Sequence, residues 1–145
     1  MGYEEIRLFQ RLLEEAKIHR ERIEEARKCL AEDPDNIPCS DQMIYRFSKL
    51  QDTMGRKLFR ALLHAVGDWE STMTMIDILN RMDKLRLIEP DKWREIRDIR
   101  NEIAHNYDDD PEVTKNILSN IEKALPILDH FMTGIEKFAT QKGLL

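Results

Sequence analysis

Several features are scarce or missing in this chain of 145 residues, and each absence excludes a class of protein. No apolar run approaches the roughly 18 to 20 residues of a transmembrane helix, and the N-terminus lacks the pattern of a secretory signal. There is no glycine-rich phosphate loop, no HExxH sequence and no Cys/His spacing typical of zinc. We therefore expect a cytoplasmic protein with no membrane contact, no metal and no cofactor.

Cysteine is almost absent, since Cys29 and Cys39 are the only two. Two cysteines cannot build the disulfide framework of a small secreted domain, and their spacing matches no redox motif. Free thiols in a cytosolic protein are the expectation, and the sequence does not show whether the two side chains ever meet.

Glycine and proline, five of each, fall mainly where they separate helical segments, and no stretch alternates between apolar and polar residues as a strand would. This pattern predicts an all-α fold in a single domain, residues 1–145, with a four-helix, up-and-down bundle and one additional helix. The predicted helices are Tyr3 to Ala31, a helix capped by Ser40 or Asp41 that reaches Val66, a helix capped by Asp68 or Ser71 that reaches Leu85, Pro90 to Tyr107, and Pro111 to Gly143.

Two local features qualify the bundle. The first helix carries a heptad-like apolar stripe in which Arg20 and Arg27 fill two positions. Packing inside a bundle is favoured, and a two-stranded coiled coil is the alternative. Gly55 lies inside the second helix, where glycine costs about 1 kcal/mol relative to alanine. Close approach of another helix is the favoured reason, and bending of a basic face toward a ligand is the alternative.

The second helix is basic although the chain as a whole is acidic, with a net charge of -5. Its basic residues are Arg46, Lys49, Arg56, Lys57 and Arg60. Between Met43 and Val66 the single carboxylate is Asp52, so this part of the helix has a local charge of +4. Such a face can bind a phosphate chain even on an acidic protein.

The stretch WREIRDIRNEIAHNY, residues 93–107, joins an apolar stripe to residues that can do chemistry. The stripe consists of Trp93, Ile96, Ile103 and Tyr107. Arg100 falls on the same face, where a core-facing helix would carry leucine. Burying an unpaired guanidinium costs several kcal/mol, so Arg100 must reach a cleft or a partner chain, or extend out to solvent. The acidic run Asp108 to Asp110 follows.

The end of this helix brings together Arg100, Asn101, His105 and Tyr107. Arginine can bind a phosphate through two parallel hydrogen bonds, and histidine can exchange a proton near neutral pH. Together they suffice for metal-free RNA cleavage. The simpler interpretation is structural: the arginine extends to solvent, His105 stabilises the helix C-terminus, and Tyr107 packs with its hydroxyl at the surface.

The run RNEIAHNY, residues 100–107, resembles the signature of the HEPN superfamily, and more closely the HepT toxins, with Arg, four residues, His, one residue and Tyr. The resemblance covers about eight residues, together with the length and the helix count. It implies a helical bundle that forms a homodimer, with the two motifs meeting in a cleft at the interface.

The resemblance also implies a function. HepT-like proteins are metal-independent RNA endonucleases, the toxins of type VII-like toxin–antitoxin pairs. By this likeness Arg100 binds the scissile phosphate, His105 is the general acid and base, and Asn101 supports the site. Tyr107 accepts AMP from a cognate MntA-like nucleotidyltransferase, the antitoxin, and the substrate is tRNA or mRNA. The alternative is a non-catalytic partner that binds substrate for, or regulates, a nucleotidyltransferase.

Overall fold

Five helices account for the regular secondary structure of residues 2–107 and 110–145, the part of the chain that the computed structural model describes. They are α1 (Tyr3–Glu32); α2 (Ile37–Asp52), which continues through a π-helical segment (Thr53–Leu58) into α3 (Phe59–Ala65); α4 (Met75–Lys84); α5 (Pro90–Asn106); and α6 (Pro111–Gln141). The all-α prediction is confirmed. None of these helices has the length and apolar composition of a membrane span.

Prolines and one acidic cap placed two helix starts correctly, and the end of α1 was predicted to within one residue. α1 extends only one residue beyond its predicted end. α5 begins at Pro90, where the missing N–H of proline is no loss. α6 begins at Pro111, after Asp110 accepts a hydrogen bond from the N–H of Glu112 at 2.9 Å. Asp108 and Asp109 lie outside the described residues.

Two predicted caps are wrong. The cap of α2 is Asn36, whose side chain accepts from the N–H of Cys39 at 3.0 Å, so the helix begins before Ser40. The prolines of this connection suggested a longer break, but Pro38 lies in the first helical turn, where it is tolerated. α4 is capped by Thr74, which exchanges hydrogen bonds with Asp77 in a capping box.

The long helices pack in antiparallel pairs. On α1, the carbonyl of Arg22 accepts from Gln42 of α2, and further back His19 contacts Arg46. The same helix pairs with α6 through Arg20 and Asp129, 2.7 Å apart, and through Arg27 and Glu122, 2.8 Å apart. The two arginines in the stripe are thus neutralised within the chain. The apolar stripe of α1 is buried against helices of the same chain, which favours the bundle over a coiled coil.

Gly55 lies where the π-helical segment meets α5. A Cβ atom at this position would lie 2.7 Å from Cζ2 of Trp93, closer than carbon atoms approach in proteins. The Trp93 ring is buried and packs edge-on against Phe59, with ring centroids 4.8 Å apart. Close helix approach is therefore the reason for this glycine, as the sequence predicted.

Cys29 and Cys39 form a disulfide that joins the end of α1 to the start of α2. The expectation of free thiols is therefore wrong for this structure. The physical reason is the tight connection between the helices, which brings the two Cα atoms to 6.3 Å, a separation that a disulfide spans. Sequence spacing alone did not reveal this geometry.

Candidate functional site

α5 is anchored at its N-terminal half and open at its C-terminal half. Trp93 and Ile96 are buried in the core, whereas Ile99 and Ile103 are only partly buried. Beyond them the last turn is exposed, and the chain leaves the helix at Tyr107 in an extended conformation. The motif residues thus lie on a helix that is fixed at one end and accessible at the other.

Arg100 forms a two-point contact with Asp52 at the end of α2. Its Nε and Nη2 atoms each lie 3.2 Å from a different oxygen of the carboxylate. Both side chains are about a quarter exposed. A guanidinium has five N–H donors, so this contact leaves others available for a ligand. Asp52 is thus a partner of Arg100 that the sequence analysis did not predict.

A pocket of about 400 Å³ opens beside this pair, between α5 and the region where α2 becomes π-helical. Its lining residues are Gln51, Asp52, Gly55, Arg56, Met75, Trp93, Arg97, Arg100, Asn101 and Ala104. π-Helical turns within α-helices are rare and are frequent at functional sites. The described lining residues combine three arginines and two side-chain amides with an apolar wall, a composition suited to an anion that carries an organic group.

Tyr107 is held from the other end of α2. Its hydroxyl donates a hydrogen bond to Asp41, and its side chain remains 36% exposed. Asp41 and Asp52 therefore hold Tyr107 and Arg100 respectively, which sets α2 antiparallel to α5. The phenol predicted to accept a nucleotide is thus positioned but accessible.

His105 lies outside the pocket that holds Arg100 and Asn101. It is exposed, and its ring makes no hydrogen bond or ion pair with any described residue. It follows Asn101 by four residues, so the two side chains are neighbours on the helix surface. The structure brings Arg100 and Asn101 together, with His105 one turn further along and Tyr107 on the side of α2.

The basic face of α2 also carries an exposed aromatic ring, Tyr45, which is 55% exposed. The guanidinium carbon of Arg46 lies 5.7 Å from its ring centroid, and Nζ of Lys49 lies 5.6 Å away. Cations beside an accessible ring are typical of surfaces that bind single-stranded nucleic acid. This surface and the pocket both belong to the segment predicted to be basic.

Sequence analysis missed Asp41, Asp52, Gln51 and Arg97 as members of the site. One signal was available for Arg97, because a residue three positions before Arg100 must be its neighbour on a helix. No comparable signal exists for the two carboxylates, since the pairing of α2 with α5 is not written in either segment.

The described residues contain no group of three or more His, Cys, Asp or Glu side chains that could hold a metal ion. His19, His64, His105 and His130 lie on four different helical segments.

Comparison with known proteins leaves the family unassigned: no family model, curated protein or solved structure matches the chain. The site must therefore be interpreted from its own geometry and from the eight-residue motif.

Proposed function

We propose that this chain is a HepT-like HEPN endoribonuclease, the toxin of a type VII-like pair, which cleaves RNA without a metal. The observation that supports this most strongly is the position of Arg100 in an open, cation-rich pocket on the same helix end as His105. In such a site the imidazole takes the proton of a ribose 2′-hydroxyl, whose oxygen then attacks the adjacent phosphorus. The 5′-oxygen leaves and is protonated, and a 2′,3′-cyclic phosphate remains. Arg100 stabilises the added negative charge.

A homodimer is part of the proposal. One chain holds Arg100 and Asn101 in a pocket and leaves His105 outside it. The exposed end of α5, with the half-buried Ile99 and Ile103, offers a surface on which a second copy would place another motif beside the first. Two imidazoles would then be present, one to take the proton and one to return it. Light scattering at micromolar concentration should give twice the chain mass, and a monomer would contradict this part.

Cleavage is tested with pooled tRNA and mRNA in EDTA. Wild-type protein should leave 2′,3′-cyclic phosphate ends, and both His105→Ala and Arg100→Ala should lower the rate by at least about a hundredfold. His130→Ala is the matched control, because His130 is an exposed histidine on α6, and it should retain full activity. The intact mass must be checked for bound AMP. An unmodified, folded dimer that leaves RNA intact would refute the nuclease.

Tyr107 is proposed as the AMP acceptor for a cognate nucleotidyltransferase. Its exposed phenol is held by Asp41, so its hydroxyl is fixed in place. AMP at this position would add a charge and an adenosine beside the motif and hinder RNA binding. With the nucleotidyltransferase and ATP, mass spectrometry should find the AMP on Tyr107. Tyr107→Phe should lose the label and Tyr45→Phe should keep it; label only at another residue would exclude this role.

A second function is a non-catalytic partner that binds substrate for, or regulates, a nucleotidyltransferase. The position of His105 outside the Arg100 pocket favours it, because a nuclease needs both groups at one phosphate. Expression alone separates the two functions. A toxin should arrest growth, and Arg100→Ala or His105→Ala should relieve the arrest, whereas a regulatory partner should not affect growth.

A further inference from the structure

Two arginines in the pocket lack a carboxylate partner among the residues that the structure describes. Arg56, on the π-helical segment, and Arg97, on α5, both line the pocket and both are exposed. Neither forms a hydrogen bond or an ion pair with any described residue. This contrasts with Arg20, Arg27 and Arg81, each of which is paired with a carboxylate. The guanidinium groups of Arg56 and Arg97, which come from different helical segments, therefore line one pocket without a described carboxylate partner.

The pocket is strongly positive for a protein of net charge -5. The described part of its lining contains three arginines and one carboxylate, Asp52, whose two oxygens both accept from Arg100. Among the described residues of the lining, no further acidic group is left to neutralise Arg56 or Arg97. An anion entering the pocket would therefore meet two guanidiniums with unused donors, each able to bind a phosphate through parallel hydrogen bonds.

The remaining lining favours a phosphate that carries a sugar and a base. Gln51 and Asn101 contribute amide groups, while Trp93, Met75 and Ala104 form apolar wall. A volume of about 400 Å³ falls in the range of small-ligand sites and exceeds what an isolated phosphate occupies.

The helix register relates this site to Arg100. Arg97 precedes Arg100 by three residues, so the two side chains lie next to each other along α5, with Cβ atoms about 5 to 6 Å apart. That separation is comparable to the distance between neighbouring phosphates of a nucleic-acid strand. An RNA strand with one phosphate on Arg100 would thus place its next phosphate beside Arg97, within the same pocket.

We infer that Arg56 and Arg97 bind a second backbone phosphate of the RNA, adjacent to the phosphate held by Arg100. This inference rests on the proposed function and extends it by giving the substrate a second contact on one side of the cleavage point. The two arginines act in substrate binding, not in the bond-breaking step. Their loss should weaken RNA binding and raise KM while kcat changes little.

The test measures binding of a short, labelled 2′-O-methyl RNA to otherwise unaltered protein by fluorescence anisotropy at several salt concentrations. This RNA cannot be cleaved, because its 2′-oxygen has no proton to lose. The double variant Arg56→Gln/Arg97→Gln should bind roughly 10- to 100-fold more weakly. The slope of log K against log salt should become shallower by about 0.7, the value for one lost phosphate contact on a single strand. Each single variant should show about half of that change.

The matched control is Lys137→Gln/Lys142→Gln, which removes two exposed cations at the C-terminal end of α6, outside both the pocket and the basic face of α2. Its affinity should stay within about threefold of wild type. An equal loss of RNA affinity in the two double variants would overturn the inference, because the loss would then be a general effect of removing positive charge. ATP is a second probe. If ATP binding depends on Arg56 and Arg97 and RNA binding does not, the pocket is a mononucleotide site and the inference is wrong.

These results are separable from those of the nuclease assay. RNA binding that depends on Arg56 and Arg97 in a protein that does not cleave would keep the pocket assignment and reject the nuclease. A protein that cleaves RNA but binds it equally well without Arg56 and Arg97 would support the nuclease and reject the pocket assignment. Circular dichroism of each variant establishes that it is folded, and both arginines are exposed, so their replacement should leave the helix content unchanged.

Discussion

Arg100 and Asp52 meet through two parallel contacts, with Nε and Nη2 of the guanidinium each 3.2 Å from a carboxylate oxygen. The pair joins α5 to the end of α2 and fixes the orientation of the motif arginine. Because both groups are partly exposed, we expect it to add no more than about 1 kcal/mol to stability. Its value lies in positioning.

If the chain is the proposed ribonuclease, Asp52→Asn should lower RNA cleavage about tenfold through kcat, since misplacing the proposed phosphate-binding group is costly in the transition state. KM should not rise, because the pocket loses a negative charge. Asp52→Glu should restore part of the rate. Asp98→Asn, which removes an exposed carboxylate from α5, is the control and should leave both constants unchanged. A fall in kcat of the same size for Asp98→Asn would contradict the positioning role.

Gly55→Ala should destabilise the fold by about 1 to 3 kcal/mol, because its Cβ would lie 2.7 Å from the buried ring of Trp93. Thermal unfolding should show a melting temperature lower by about 4 to 10 °C. Gly134→Ala is the matched control within α6. There the nearest atom would be 4.0 Å away, so the change should raise stability by about 0.5 to 1 kcal/mol. An unchanged melting temperature for Gly55→Ala would contradict the close approach.

Reduction of the Cys29–Cys39 disulfide should lower the free energy of unfolding by about 2 to 3 kcal/mol, because the bond closes a short loop between residues ten positions apart. Denaturant unfolding with and without reductant measures this difference. Cys29→Ser/Cys39→Ser should match the reduced protein and not respond to reductant. Alkylation of native protein, followed by intact mass, supplies the check: two added groups before any reduction would mean free thiols.

His19 gives the protein a predictable pH dependence. Burial, and next the positive charge of Arg46, lower the pKa of this imidazole, with Lys49 acting in the same direction and Glu15 against it. Arg46 Nη1 donates to its Nδ1 at 3.0 Å, which favours the neutral ring. The folded protein thus binds this proton less tightly than the unfolded chain. The stabilisation is complete above the unfolded pKa of about 6.5 and falls as the pH drops below it.

Urea unfolding between about pH 5 and pH 7.5 should therefore show stability decreasing toward the acid side. His19→Gln should flatten that slope, whatever its effect on absolute stability, and Arg46→Gln should flatten it in part. Parallel slopes for wild type and His19→Gln would show that another group is responsible.

Residue preferences at helix ends predicted some helix starts correctly and others wrongly. Pro90, Asp110 and Pro111 marked helix starts because their preference for the first turn needs no other part of the chain. Asn36 and Thr74 were overlooked as caps because Ser40 and Asp41, or Asp68 and Ser71, have the same capping chemistry nearby. Which candidate caps a helix depends on where the preceding chain must turn, and packing decides that.

The candidate site likewise contains some residues that the sequence predicted and others that only the structure revealed. Apolar periodicity placed Arg100 among the apolar residues of α5. The glycine at position 55, inside a helix, correctly predicted a close contact with another helix. Only the tertiary structure assigned Asp41, Asp52 and Arg97 to the site and joined the two cysteines. Arg56 was predicted as part of a basic face, and the structure places it in the pocket.

The sequence by itself determined five helices, their apolar faces and the residues of the motif, because 3.6-residue periodicity and cap preferences act within one segment. Only the tertiary structure decided which groups face one another. α2 lies antiparallel to α5, and this one packing choice brings a carboxylate to Arg100, another to Tyr107, and two further cations to a common pocket. Such a choice minimises the free energy of the whole core, so no single segment records it.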